Sequence, residues 1–182
     1  MRLRVILLCL VVLFTTLPDA FSYTGKVVSV LDGDTIEVLH EGKAERIRLN
    51  GIDCPEKRQP FGQKAKQFTS ALVVGKHVTV EPLRKDRHGR TVGDVIVSDG
   101  SSVSRELLKA GLAWWYRKYS TDRSLEALEL EAREAKRGLW SDPYPIPPWE
   151  MRHPSKKHFL DQRSPFSIES PSSLEDSAII GN

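Results

Sequence analysis

Four short segments of this 182-residue chain carry residue types that could do chemistry. The first is Asp32-Gly33-Asp34-Thr35. Asp-Gly is a favoured hairpin dipeptide, so taken alone the segment reads as a turn. Asp34 adds a second carboxylate that the turn does not need, and a hard cation would relieve the repulsion. The second segment runs from Arg46 to Glu56. Arg46 and Arg48 share one face of a strand, with Ile47 and Leu49 on the other, which taken alone is a solvated basic face. Asp53 and Glu56 then bracket Cys54-Pro55, where the proline fixes the backbone between them. Clustered carboxylates and carbonyls without Cys/His ligand pairs favour Ca²⁺ or Mg²⁺ over zinc. The third, Arg84 to Arg90, is a charged hairpin loop turning at His88-Gly89. Arg90, just past the turn, could reach a phosphate with a bidentate guanidinium. The fourth is Trp114-Trp115-Tyr116-Arg117-Lys118-Tyr119. Dense aromatics pack a core, or, interleaved with cations, stack bases and hold phosphates. Together these segments offer carboxylates for a metal, a carboxylate to serve as general base, and two separated arginines. Phosphodiester hydrolysis needs that set: positive charge for the developing anion and a base to activate water.

The elements that must position these residues are mostly strands. Lys26 to Leu31, Thr35 to Leu39 and Glu45 to Leu49 alternate and are joined by turns, which makes a three-stranded meander. Gly62 to Val74 has helical spacing, with Ala65, Phe68, Ala71 and Leu72 on one face. Strands follow at His77 to Glu81 and Thr91 to Val97. A helix from Ser104 to Ala110 starts at a capping serine and stops at Gly111. The last helix runs from Ser124 to Arg137 with Leu125, Leu128 and Ala132 inward, and Gly138 ends it. Five strands interrupted by one helix and followed by two more predict an α+β, mainly β fold. The five-stranded oligonucleotide/oligosaccharide-binding (OB-fold) barrel with three helices fits that order.

With 40% hydrophobic and 28% charged residues, the composition excludes collagen, a multi-span membrane protein and a wholly disordered chain. The net charge of +3 permits a nucleic-acid partner without demanding one. Residues 1–22 read as a signal peptide. Arg2 and Arg4 form a basic start, and the apolar run from Val5 to Phe14 is short for a span of ~20 residues. Ala20-Phe21-Ser22 places small residues before a cut at Tyr23. Export is therefore expected, to the periplasm or the medium, with no membrane attachment after cleavage. Cys9 leaves with that leader, and Cys54 is left without a disulfide partner. Residues 23–150 make one domain that exits through a proline-rich stretch from Pro143 to Trp149. Residues 151–182 read as a disordered Ser/Pro-rich tail.

In order along the chain, five motifs resemble the thermonuclease (staphylococcal nuclease) family. They are Val30 to Thr35, Arg48 to Glu56, Asp86 to Arg90, Leu108 to Ala113 and Ala135 to Trp140. The likeness spans about Tyr23 to Trp140, and several ordered motifs are far more specific than one. It implies an OB-fold barrel with three helices and calcium-dependent hydrolysis of DNA and RNA, leaving 3′-phosphate ends. Asp34 and Asp53 match the calcium-binding aspartates, and Cys54 stands where the family often has a threonine that ligates through its backbone carbonyl. Glu56 matches the general base, and Arg48 and Arg90 match the phosphate-binding arginines. Arg87 keeps a cation near the nucleotide phosphate, while His88 stands where the best-known member has a tyrosine. Tyr119 aligns with a nucleotide-contacting tyrosine, and Arg117 replaces another. The loop from Glu56 to Gly62 is shorter than in that member.

The leader and the resemblance together lead to the expectation of an exported, monomeric nuclease whose partners are its nucleic-acid substrates. Two other readings carry different expectations. A non-catalytic OB-fold module would bind nucleic acid in a salt-sensitive way without cleaving it. An interaction protein would depend on the tail from Met151 onward.

Overall fold

Alternation of apolar and polar residues builds the first sheet. In β1 (Tyr23–Asp32), β2 (Thr35–His40) and β3 (Lys43–Leu49), the buried side chains include Val27 and Val30, Ile36 and Val38, and Ile47 and Leu49. The computed structural model describes residues 21–152. The leader up to residue 20 and the tail from residue 153 lie outside the described residues.

A two-residue strand β4 (Ile52–Asp53) follows, then helix α1 (Gly62–Val73), β5 (His77–Lys85) and β6 (Thr91–Val97). Strands β1-β2-β3-β6-β5 close into a barrel. All pairs are antiparallel except β3 with β6, which is parallel. This is the predicted five-stranded OB-fold barrel. After it come α2 (Val103–Lys109), a two-residue strand β7 (Trp114–Trp115), α3 (Arg123–Glu134) and a 3₁₀ turn at Gly138–Ser141. The expected three helices are joined by a fourth, α4 (Pro148–Arg152), at the end of the proline-rich exit. It runs through the domain boundary expected at residue 150. Among the described residues, those through Pro148 form one compact unit, and Trp149–Arg152 belong to a second. No helix among the described residues is long and apolar enough to cross a membrane.

Several local expectations shift, each for a physical reason. The inward face of α1 centres on Ala65, Thr69 and Val73, and Ala71 is exposed. Thr69 is buried because its hydroxyl donates to the Gly33 carbonyl at 2.6 Å, which satisfies it and pins the β1–β2 turn to α1. Ser104 does not cap α2: Ser102 holds the N-cap, and the Ser104 hydroxyl donates to the Asn50 carbonyl at 3.0 Å. Helix α3 begins at Asp122, whose carboxylate accepts the Ser124 N–H, and ends at Glu134 rather than Arg137. Lys136 already sits at φ 50°, ahead of Gly138. Glu129 is buried beside Leu125 and Ala132 on the inner face of α3, where it pairs with Arg133 at 3.2 Å.

Candidate active site

Two turns and one non-local strand pair bring the chemistry together. Strands β1 and β2 meet at Asp32 to Thr35, and β3 delivers Arg48 opposite Thr35 in the β2–β3 register. The chain then turns at Asn50-Gly51 into β4, which pairs with β7 so that Asp53 faces Trp114. Gly33 is required by close approach. A Cβ there would come within 2.8 Å of the Cβ atoms of Ala65 and Cys54, so only glycine lets this turn lie against both.

Arg48 is the hub. Its Nη2 lies 3.1 Å from Asp34 Oδ2 and 2.8 Å from Asp53 Oδ1. Its Nη1 donates to the carbonyls of Leu49 and Ile52, each at 2.9 Å, which fixes the guanidinium plane. Burial works against the charge, but Asp34 and Asp53 outweigh it and hold Arg48 above its ordinary pKa. Both carboxylates are nearly sealed, at 6% and 1% exposed. Asp34 Oδ2 also accepts the Cys54 N–H at 2.7 Å, and Asp34 Oδ1 accepts from the Thr35 hydroxyl at 3.1 Å.

Arg90 joins from the other side. Its Nη1 lies 3.5 Å from the same Thr35 hydroxyl, at the outer limit of a hydrogen bond. Its Nε donates to Asp86 Oδ2 at 2.7 Å, and Asp86 Oδ1 accepts the N–H groups of Arg90 and His88. Although burial alone would raise it, those bonds hold the Asp86 carboxyl below its ordinary value. Asp86 thus orients Arg90, a role invisible in the sequence except as an acidic residue among cations.

The other expected site residues lie further out. Glu56 is half-buried just past Cys54-Pro55, with its backbone N–H donated to Gln59 Oε1 at 2.7 Å. Arg87 and His88 sit exposed at the tip of the β5–β6 hairpin, where Arg87 Nε donates to His88 Nε2 at 3.0 Å. The aromatic segment divides. Trp114 and Trp115 are buried and Trp114 packs edge-on against Trp140, whereas Tyr119 is 53% exposed beneath Lys118. The two tryptophans are therefore core, and Tyr119 alone of the expected contacts in that segment offers a ring to solvent.

Asp32 is the carboxylate that the sequence presents only as turn chemistry. Its Oδ1 accepts the Asp34 N–H at 3.3 Å. Burial, and then the neighbouring Asp34 charge, push its carboxyl from 3.8 up to about 6. The folded chain therefore holds this proton more tightly than the unfolded chain does. Below the unfolded value the group is neutral in both states, and its favourable contribution is lost as pH rises through about 6. Asp32→Asn keeps the acceptor and removes the charge. In metal-free protein it is expected to raise Tm at pH 7 relative to wild type, with the gain vanishing near pH 4; thermal denaturation at the two pH values checks this.

The donor chemistry fits a hard cation. Asp34 and Asp53 converge within reach of one guanidinium nitrogen, and with Asp32 nearby the carboxylates outnumber the single Arg48 charge. Burial, then Asp34, push the Cys54 thiol well above its ordinary pKa, so the sulfur stays protonated and the set is oxygen-only. Among the described residues no group of three or more His, Cys, Asp or Glu side chains could hold a metal ion by itself. Asp34 and Asp53 would supply only two carboxylates to a cation that takes about six to eight oxygens.

Comparison with known proteins matches the chain to a family. The model described as staphylococcal nuclease homologue covers residues 46–142. An uncharacterized endonuclease of Escherichia coli O157:H7 is 52% identical over 129 residues, spanning 71% of this chain and 84% of the relative. Protein ParB of Escherichia coli is 40% identical over 156 residues, covering 80% of this chain and 88% of its own length. The micrococcal nuclease of Shigella flexneri is 38% identical over 156 residues, 80% of this chain and 90% of that protein. The matched span takes in Arg48, Asp53, Glu56 and Arg90 with the end of β3 and all of β5 and β6, while β1, β2 and Asp34 precede it, and the chain belongs to the staphylococcal nuclease family.

Proposed function

We propose that the protein is an exported, calcium-dependent nuclease that hydrolyses phosphodiester bonds in both DNA and RNA and leaves 3′-phosphate ends. Family membership supports the reaction class. The observation that carries the reading is Arg48 fixed between two sealed carboxylates, with Arg90 joined to the same cluster through Thr35. Export is supported by the apolar run from Val5 to Phe14 and by the start of β1 at Tyr23, where the predicted cut falls.

Asp34, Asp53 and the Cys54 backbone would hold calcium, which when bound polarises phosphoryl oxygens as a Lewis acid. Arg48 on β3 and Arg90 in the loop just before β6 bind the phosphate and hold the charge that builds as water attacks. Their fixed planes matter because a preoriented donor loses little on reaching the transition state. Glu56, half-buried two residues past Cys54, takes the proton from the attacking water. Tyr119 and Arg87 reach the flanking nucleotide.

Arg90→Ala is the first test. Arg90 is half-buried and its ion pair with Asp86 is partly exposed, so its loss is expected to leave Tm almost unchanged. Cleavage of single-stranded DNA is expected to fall roughly 10²-fold or more in kcat/KM. Wild-type kcat/KM in this variant would remove Arg90 from the mechanism. End-group analysis of the products tests the 3′-phosphate assignment.

A further inference from the structure

We propose that Gln59 is a positioning residue for Glu56, and that through Gln59 the proline-rich stretch beyond Trp140 becomes part of the catalytic architecture. The proposal rests on the reading of Glu56 as general base.

The loop after Glu56 is short and mostly exposed: Lys57, Arg58 and Pro60 face solvent, yet Gln59 between them is only 7% exposed. A buried amide in a charged surface loop needs partners, and Gln59 has them at every polar group. Its Oε1 accepts the Glu56 N–H at 2.7 Å, and its own N–H donates to the Glu56 carbonyl at 2.8 Å. One residue therefore holds Glu56 at both of its backbone polar groups. The Gln59 carbonyl accepts the Gly62 N–H at 3.0 Å, which ties the loop to the first turn of α1. Gly62 also packs on this backbone: a Cβ on it would lie 2.0 Å from the Glu56 carbonyl oxygen, so only glycine lets the start of α1 come this close.

The remaining amide group points away from the loop. Gln59 Nε2 donates to the Ile146 carbonyl at 3.2 Å. Ile146 stands between Pro145 and Pro147, whose rings restrict the local backbone and hold that carbonyl in place. Only an amide of this length can accept the Glu56 N–H and donate to Ile146 at once. Glutamate keeps the acceptors and loses the donor, and methionine loses both. A loop that merely fills space would need neither.

The test uses the full chain with calcium and a single-stranded DNA oligonucleotide. Gln59→Glu and Gln59→Met are made in the wild-type and Glu56→Gln backgrounds, with circular dichroism as a check on folding. In the wild-type background kcat is expected to fall about 10-fold for Gln59→Glu and about 100-fold for Gln59→Met, with KM within about twofold. In the Glu56→Gln background neither change is expected to lower the residual rate further, because the effect runs through Glu56. Full kcat in a folded Gln59→Met overturns the positioning role, and full kcat in Gln59→Glu overturns the link to Ile146. Equal losses in both backgrounds also overturn the proposal, since Gln59 would then act elsewhere. If Gln59→Met does not fold, Gln59→Glu carries the same comparison. A Glu56→Gln enzyme at wild-type rate would instead sink the reading of Glu56 itself, whatever Gln59 does.

Discussion

Arg48→Ala is expected to abolish cleavage and to destabilise the protein severely. The guanidinium touches Asp34 at 3.1 Å and Asp53 at 2.8 Å, and its side chain is 12% exposed. Removing it takes the guanidinium away from two sealed carboxylates and takes a donor from the carbonyls of Leu49 and Ile52. Breaking a buried pair from one side costs about 3–5 kcal/mol because the surviving charge stays desolvated. In metal-free protein that corresponds to a fall in Tm of roughly 10 °C or more. A cation at the same carboxylates would supply part of the missing charge, so added calcium should recover more Tm in the variant than in wild type. Activity should not return with stability, because the phosphate has lost one of its two arginines, and the loss should be roughly 10³-fold or more. Thermal denaturation and initial rates, each with and without calcium, separate the two effects. A variant as stable as wild type would show that Asp34 and Asp53 do not depend on Arg48.

Glu56→Gln should act on rate alone. The two bonds from Gln59 to the Glu56 backbone N–H and carbonyl do not involve the carboxylate and survive the substitution. Glutamine has nearly the same shape but cannot take a proton from water at neutral pH. Loss of a general base typically costs about 10²–10⁴ in rate, so kcat is expected to fall within that range at unchanged Tm. Substrate binding, measured in calcium by anisotropy with a labelled oligonucleotide, should stay within about twofold of wild type because both arginines remain. A wild-type rate would assign the base elsewhere.

The contrast between these variants reflects what the sequence could and could not reveal. Strands were legible where burial alternates, as in Ile36 and Val38 or Ile47 and Leu49, because period two is a local signal. The pairing of β4 with β7 was not legible. It joins Ile52 to Trp115 across more than sixty residues through only two residues on each side, too short for any periodic pattern. Yet that pairing seats Asp53 and decides that Trp114 and Trp115 are core. On α1, Ala65, Phe68 and Leu72 pack inward as expected, but Ala71 is exposed and Thr69 escaped the pattern because it is buried through one hydrogen bond to Gly33, which pattern reading counts as polar and outward. At the site, Asp34, Arg48 and Asp53 stood out by type and spacing, whereas Asp32, Asp86 and Gln59 did not. Each of those three acts by holding another group in place, and such roles depend on distances that composition does not encode. The second acidic residue of Asp-Gly-Asp was the one available signal that Asp32 was more than a turn.

The central claim is that this barrel hydrolyses nucleic acid with calcium at Asp34 and Asp53. The most direct measurement incubates the purified chain with single-stranded DNA and with RNA, first in calcium and then with a calcium chelator. The account predicts that both polymers are cleaved in calcium and that cleavage of both stops on chelation and resumes when calcium is restored. Retained binding with no cleavage in calcium, or cleavage that continues undiminished under the chelator, would contradict it.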